Sequence, residues 1–307
     1  MATRTVPPAE AATADATVVR TAPPAGGAPV HVSLGQAIYI IWYRDIIRFW
    51  RDRVRLVMSL AQPVLYLAIF GVGLSSSLGR GGSIASLGLP ASFSYLQFMY
   101  PGVLGMAVLF TAIFSAMSVV WDREFGFLRE ILVAPISRSA VAIGKTLGGA
   151  TQAALQGVVM LVFAPIIGVH LTVLSVLETL PLLFLLAFAL TSMGVALSAR
   201  LKTMQGFQVV MNFLMMPMFF LSGALFPLSG LPGWMTVLTR FDPVAYGIAP
   251  VRSAILGGAG LPQAAVDRLS SVTIGSYVVP ALADVGVLVV FSAIMLGIAM
   301  RSFRHRD

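Results

Sequence analysis

Beyond about residue 56 the chain is a succession of long apolar stretches separated by short polar ones. Uncharged stretches run from Leu56 to Gly79, Gly81 to Trp121, Thr146 to Leu177, Thr179 to Ala199 and Thr203 to Thr239. A last one, Tyr277 to Met300, is interrupted only by Asp284. Crossing the hydrocarbon core of a bilayer takes about 20 apolar residues. The pattern therefore predicts an all-α integral membrane protein with six transmembrane helices, near residues 56–77, 97–120, 143–167, 176–198, 204–226 and 279–301.

Two segments break this rhythm. In Ser33–Leu56, Ile38, Ile41, Trp42, Ile46, Phe49 and Trp50 fall near one helical face, and Arg44, Arg48, Arg51 and Arg55 recur on another. That is the pattern of a helix lying in the membrane interface, with aromatic rings at head-group depth and Arg turned to water or phosphates. In Trp121–Arg138, "WDREFGFLREILVAPISR", five charges occupy Asp122 to Glu130, and Pro135 bounds the segment. It predicts a short amphipathic helix between spans two and three. On the far side, Pro227, Pro232, Pro243 and Pro250 interrupt an apolar stretch running to Ile255. Proline breaks helices, so short helices dipping partway into the outer leaflet are expected there rather than a continuous span.

Composition agrees with lipid as the solvent. The 307 residues are 58% hydrophobic and 10% charged, with a mean hydropathy of +0.90, against about 25% charged in a soluble domain. Residues 1–32 are rich in Ala, Pro and Thr and contain no apolar run of signal-peptide type, so they read as a disordered cytosolic tail. With both termini, the 121–145 segment and the Arg200–Lys202 turn on one side, that side holds 16 of the 20 Lys and Arg residues. Cytoplasmic loops carry the basic excess, so both termini are expected in the cytoplasm of a multi-pass plasma-membrane protein. Basic charge distributed in this way, over four membrane-adjacent segments, points to no nucleic-acid partner.

Catalytic signals are weak. Gly144–Lys145–Thr146 is half of a phosphate-binding loop, but Ser139 stands where the loop needs its first Gly. His31, His170 and His305 lie in different segments, and there is no Cys. No metal or cofactor site is expected, and the chain is not expected to be an enzyme. Glu178 and Asp284 sit near outer helix ends, where a solvated carboxylate is the expectation; an ion-coupled transporter would place carboxylates at mid-membrane.

Two blocks resemble a known family. "REFGFLREILVAPISRSAVAIGKTLGG", from Arg123, is similar to the cytosolic segment of type-2 ABC exporter permeases, above all the group of the daunorubicin/doxorubicin exporter membrane subunit. A second block, Met215, Met218, Leu221, Ser222, Ala224, Leu231, Pro232, Pro243, Tyr246 and Arg252, follows the same family; Val244 departs mildly from it. The resemblance covers about residues 33–303 and is specific for fold and partner, weak for substrate.

It implies a transmembrane domain over 33–307 that pairs with a second permease copy and with a separate ATPase, which holds the ATP and Mg. The charged segment becomes a coupling helix, with Arg123, Glu124, Phe125, Arg129 and Glu130 as ATPase contacts. The interfacial helix, with Arg44, Arg48 and Arg51, becomes the connecting helix. A substrate path is implied at the dimer axis between spans two and five. Thr111, Ser115 and Ser118 recur at helical spacing on one; Gln205, Gln208, Asn212 and Met215 lie on the other. Ordinary helix packing accounts equally for both stripes. Pro232, Pro243, Tyr246 and Arg252 mark the outer segment. The implied cargo is an amphiphilic drug-like or lipid-like compound, with a polysaccharide or lipid-linked glycan as the alternative and an ion-coupled secondary transporter as the more distant one.

Overall fold

The computed structural model describes residues 33–71, 73, 93–126, 137–228, 231–270, 273–274 and 277–304. The tail expected over 1–32, and Arg129 and Glu130 of the expected coupling helix, lie outside the described residues.

Helix α1, Leu34–Arg51, opens with a capping box between Ser33 and Gln36. Its buried stripe is Ala37, Ile41, Asp45 and Phe49, one residue per turn, while Tyr39, Ile40, Tyr43 and Trp50 are exposed. Asp52 separates it from α2, Arg53–Tyr66, which runs on into a π-helical turn, Leu67–Gly71. The two arms, Leu34–Arg51 and Leu56–Gly71, meet at 70°. That bend suits one arm lying flat and the other entering the membrane.

Helix α3, Tyr95–Glu124, is the axis of the bundle. Its 30 residues extend about 45 Å, and most of its apolar length is buried. The expected boundary after residue 120 is not there: Trp121–Glu124 continue α3, so the start of the charged segment belongs to the same rod. Phe125 caps it, and Gly126, at φ 81°, turns the chain away in the left-handed region that glycine adopts without strain.

Helices α4 (Arg138–Val162), α5 (Val173–Ser198) and α6 (Met204–Leu221) follow. They alternate in direction. The Glu124 end of α3 meets the α5–α6 turn, and the Tyr95 end meets Gly168 and Leu225. The proline-rich segment, where short helices were expected, forms α7 (Gly233–Arg240, 8 residues) and α8 (Pro243–Gly258, 16 residues), and Pro250 sits inside α8 without ending it. Helix α9 (Gln263–Ser270), a two-rung antiparallel hairpin of Thr273–Ile274 on Tyr277–Val278, and α10 (Ala281–Arg304) complete the chain.

Among the described residues four helices, α3, α5, α6 and α10, are long and apolar enough to cross a membrane, and the bent α1–α2 pair, counted as one span, brings the number to five. The six-span layout is thus met in part. The difference lies in α4. It has 25 residues, but its buried faces carry Gly144, Lys145, Gly148, Gly149, Gln152 and Gln156. The glycines are points of close approach. A Cβ on Gly144 would lie 2.9 Å from Ile41 Cβ, one on Gly148 3.1 Å from Asp45 Cβ, and one on Gly149 2.2 Å from Ser115 Oγ. Small residues let helix backbones approach in this way, so α4 touches α1, α3 and α5 at once.

Candidate functional site

Where α1, α3 and α4 meet, four charges are gathered. Lys145 Nζ lies 2.6 Å from Asp122 Oδ2 and 3.2 Å from Asp45 Oδ2. Arg44 reaches the same two carboxylates at 3.1 and 3.4 Å. Lys145 also donates to Ser118 Oγ, and Gln152 Nε2 donates to the Asp45 carbonyl. Lys145, Asp45 and Asp122 are buried, whereas the Arg44 side chain is 44% exposed. Two cations and two carboxylates sum to zero, which is the condition under which buried charge is tolerated. The Trp42 indole N–H donates to Thr151 Oγ1 at 3.0 Å and fixes the same helix pair.

Of this cluster the sequence reading singled out only Arg44. Asp45, Asp122, Lys145 and Gln152 were missed, and Gly144–Lys145 had drawn notice only as half a phosphate loop. The available signal was a lone ionisable residue in an apolar helix, which marks a protein-facing site, together with the small pair Gly144 and Gly148 four residues apart.

The end of α3 clamps the α5–α6 turn. The Arg123 guanidinium donates to the carbonyls of Ser198, Ala199 and Leu201, the shortest at 2.6 Å. It thereby covers carbonyls that the last turn of α5 leaves unpaired. Glu124 Oε2 accepts from the Met204 backbone N–H at 3.2 Å, a carboxylate at the positive end of α6. Of the expected coupling residues, then, Arg123 and Glu124 have partners inside the chain, and Phe125, 70% exposed, points away from it.

The two polar stripes separate. Thr111, Ser115 and Ser118 line a cavity of about 340 Å³ enclosed by α1, α2, α3 and Gln152 of α4. Gln205, Gln208 and Asn212 lie on the exposed face of α6, with Val209, Phe213 and Met216. Met215 is on the opposite, buried face with Met211 and Met218, where it packs the core. Within the chain the two stripes line different surfaces. Arg48 lies over the Trp121 ring, 5.1 Å from its centroid, and Arg51 is exposed at the end of α1.

At the other end of the bundle, Arg252 is 1% exposed and ties the proline-rich segment to its neighbours. It donates to the carbonyls of Leu269, Gly223 and Ala224 and lies 4.4 Å over the Phe98 ring. Pro232 precedes the first turn of α7 and Pro243 opens α8, positions where the missing N–H costs nothing. Tyr246 donates its hydroxyl to the Arg240 carbonyl at 2.9 Å. Asp242 caps α8 by accepting from the Val244 N–H; burial pushes its carboxyl well above the usual carboxylate range despite that bond. Asp284, expected to be solvated, is 2% exposed. Only the Asp284 side of that helix end is packed, since Ala281, Leu282 and Ala283 beside it are exposed. Glu178 is exposed, as expected.

Comparison with known proteins agrees with this architecture. Residues 36–256 match the ABC-2 type transporter family. The putative transport permease ycf38 of Cyanophora paradoxa is 28% identical over 248 residues, 80% of this chain and 83% of that protein. Nodulation protein J of Rhizobium leguminosarum bv. trifolii is 28% identical over 220 residues, 71% of this chain and 80% of the relative. The inner membrane transport permease YadH of Escherichia coli K12 is 29% identical over 227 residues, 72% and 83%. Two of these relatives, ycf38 and YadH, bear the name transport permease, and permeases of the ABC-2 family work with a separate ATPase subunit. With more than half of its length matched, the chain belongs to the ABC-2 type transporter permease family.

Proposed function

We propose that this chain is the permease subunit of an ATP-driven exporter that moves an amphiphilic drug-like or lipid-like compound out of the cell. The observation that carries the reading is the family match over 36–256 in a chain without a phosphate loop, which leaves the energy to a partner ATPase. The 16-to-4 division of basic residues supports a layout of six spans with both termini in the cytoplasm and α4 as the third span. The ATPase docks on the segment after α3, where Phe125, Arg129 and Glu130 meet it; Arg123 and Glu124 pass its motion to the α5–α6 turn they clamp. Two copies pair through the exposed face of α6. The amides of Gln205, Gln208 and Asn212 there face a second protein surface, since polar groups in spans avoid lipid. The exposed rings of Phe213 and Phe220 on that helix also suit the second substrate class, a polysaccharide or lipid-linked glycan.

A pull-down of the ATPase from detergent extract, paired with an export assay, tests the reading. Phe125→Ala and Arg129→Ala should reach the membrane at normal levels yet recover the ATPase poorly. Losing one partner of a desolvated charge pair weakens such contacts by about 2–5 kcal/mol. Normal recovery and normal export in both variants would overturn the docking assignment. Orientation has its own check in the Cys-free chain: an impermeant thiol reagent on intact cells should label Gly233→Cys and not Ser137→Cys.

A further inference from the structure

We infer that the cavity between α1, α2, α3 and α4 binds a single amphiphile with an anionic head group, its head at Arg48 and its apolar body along α3 towards Thr111. Both ends of the cavity and its walls point to such a ligand. Its volume of about 340 Å³ lies in the ~300–1,000 Å³ range of ligand pockets.

At one end, Arg48 and Trp121 line it together. Trp belongs at head-group depth, and Arg there attracts anionic heads. The other charges of the lining are accounted for. Asp45 is held by Arg44 and Lys145 within the neutral four-charge cluster, and Asp52 is not without a partner. Arg48 takes part in none of the ion pairs found among the described residues. It is the lining cation available to a ligand.

At the other end stands Thr111, ten residues before Trp121 in the sequence and so about 15 Å away along the helix. It is 4% exposed, and its hydroxyl has no hydrogen-bond partner. Hydroxyls in helices usually bond back to the backbone. Ser115, Ser192 and Ser198 do so here, whereas Thr111, Thr146, Thr179 and Thr191 do not, and of these four Thr111 lines the cavity. An unpartnered hydroxyl is costly in an apolar setting, and an oxygen on a bound molecule would satisfy it. Between the two ends the wall is mostly apolar, with Phe110 and Phe114 stacked at 6.4 Å and Met58, Pro63 and Met117 around them, beside the polar Ser59, Gln62, Ser115, Ser118 and Gln152. The site rests on the reading that α1 lies at the head-group layer, and it is independent of the ATPase contact.

The test uses the full chain in phosphatidylcholine nanodiscs with a single Cys in the cavity wall, Met117→Cys, labelled by N-ethylmaleimide. Dodecyl phosphate is expected to slow the labelling, with inorganic phosphate and dodecyltrimethylammonium without effect and a Gly233→Cys control unchanged. Adding Arg48→Gln should raise the half-protecting concentration about tenfold or more, the weight of one charge-assisted hydrogen bond; Arg48→Lys should largely keep the protection. Discs containing phosphatidylglycerol separate the sources. Protection in those discs alone identifies a membrane lipid as the occupant; protection requiring the added single-chain compound identifies a solute. Three results would overturn the inference: no protection in either arm, protection by the cationic amphiphile equal to that by dodecyl phosphate, or protection unchanged in Arg48→Gln. A Met117→Cys that never reacts would also overturn it, because an enterable cavity has to admit so small a reagent. Failed ATPase recovery would not touch this result, nor would failed protection touch the ATPase reading.

Discussion

Helices α4 and α6 both carry amides and other polar groups in an apolar setting, and they dispose of them in opposite ways. In α4, Lys145, Gln152 and Thr151 all find partners within the chain, on α1, on α3 or on α4's own backbone. In α6, Gln205, Gln208 and Asn212 face outward, and the apolar Met211, Met215 and Met218 face in. The polar groups are thus met inside the chain on one helix and left on an open face on the other. Burial separates the two, and sequence periodicity does not.

The hardest test of this contrast is Lys145→Met. It leaves Asp45 and Asp122 with one half-exposed cation between them. Removing one partner from a buried ion cluster costs about 3–5 kcal/mol, against a total stability of about 5–15 kcal/mol. Membrane levels and the midpoint of thermal unfolding in detergent should fall sharply. The double variant Lys145→Met with Asp45→Asn, again charge-balanced, should recover much of the loss. A single variant that accumulates like the wild type would break the assignment of α4's polarity to internal packing. Gly148→Leu comes next. A Cβ there already lies 3.1 Å from Asp45 Cβ, so the rest of the side chain must push α1 away, at about 1–3 kcal/mol. A lowered unfolding midpoint with an intact bundle is the expected result, and an unchanged midpoint would mean that α1 moves freely over α4. The smallest effect on the fold belongs to Gln208→Leu on α6. Exposed substitutions change stability by about ±0.5 kcal/mol or less, so levels should hold while pairing in cross-linking assays and the range of exported compounds change. If neither pairing nor export changes, that face meets only lipid.

The legible part of the molecule followed from periodicity. The apolar stretches and the broken proline-rich segment could be read, but the buried stripe of α1 only in part: Ile41 and Phe49 are buried, Trp50 of the same expected face is exposed, and Ala37 and Asp45 complete the stripe instead. The continuation of α3 to Glu124 was not, because a helix does not end where its residues turn from apolar to charged; the left-handed Gly126 ends it. The roles of Arg123 and Glu124 were equally hidden. Their partners are backbone groups of the α5–α6 turn, about 75 to 80 positions away in the chain, and a backbone carbonyl leaves no mark in the pattern of side chains. Thr111, Ser115 and Ser118 were found by spacing, but the surface they face depends on where the bend at Asp52 carries α2.

The four-charge cluster also constrains how such a chain can diverge. Arg44, Asp45, Asp122 and Lys145 come from three separate helices, yet no one of the buried three can change alone without stranding an opposite charge. Descendants that lose Lys145 should be found to have surrendered a carboxylate at 45 or 122 in the same lineage, with the exposed Arg44 the first of the four to drift. Substitution history at these positions should move in balanced pairs, a signature of inheritance that neighbouring surface arginines such as Arg51 would not share.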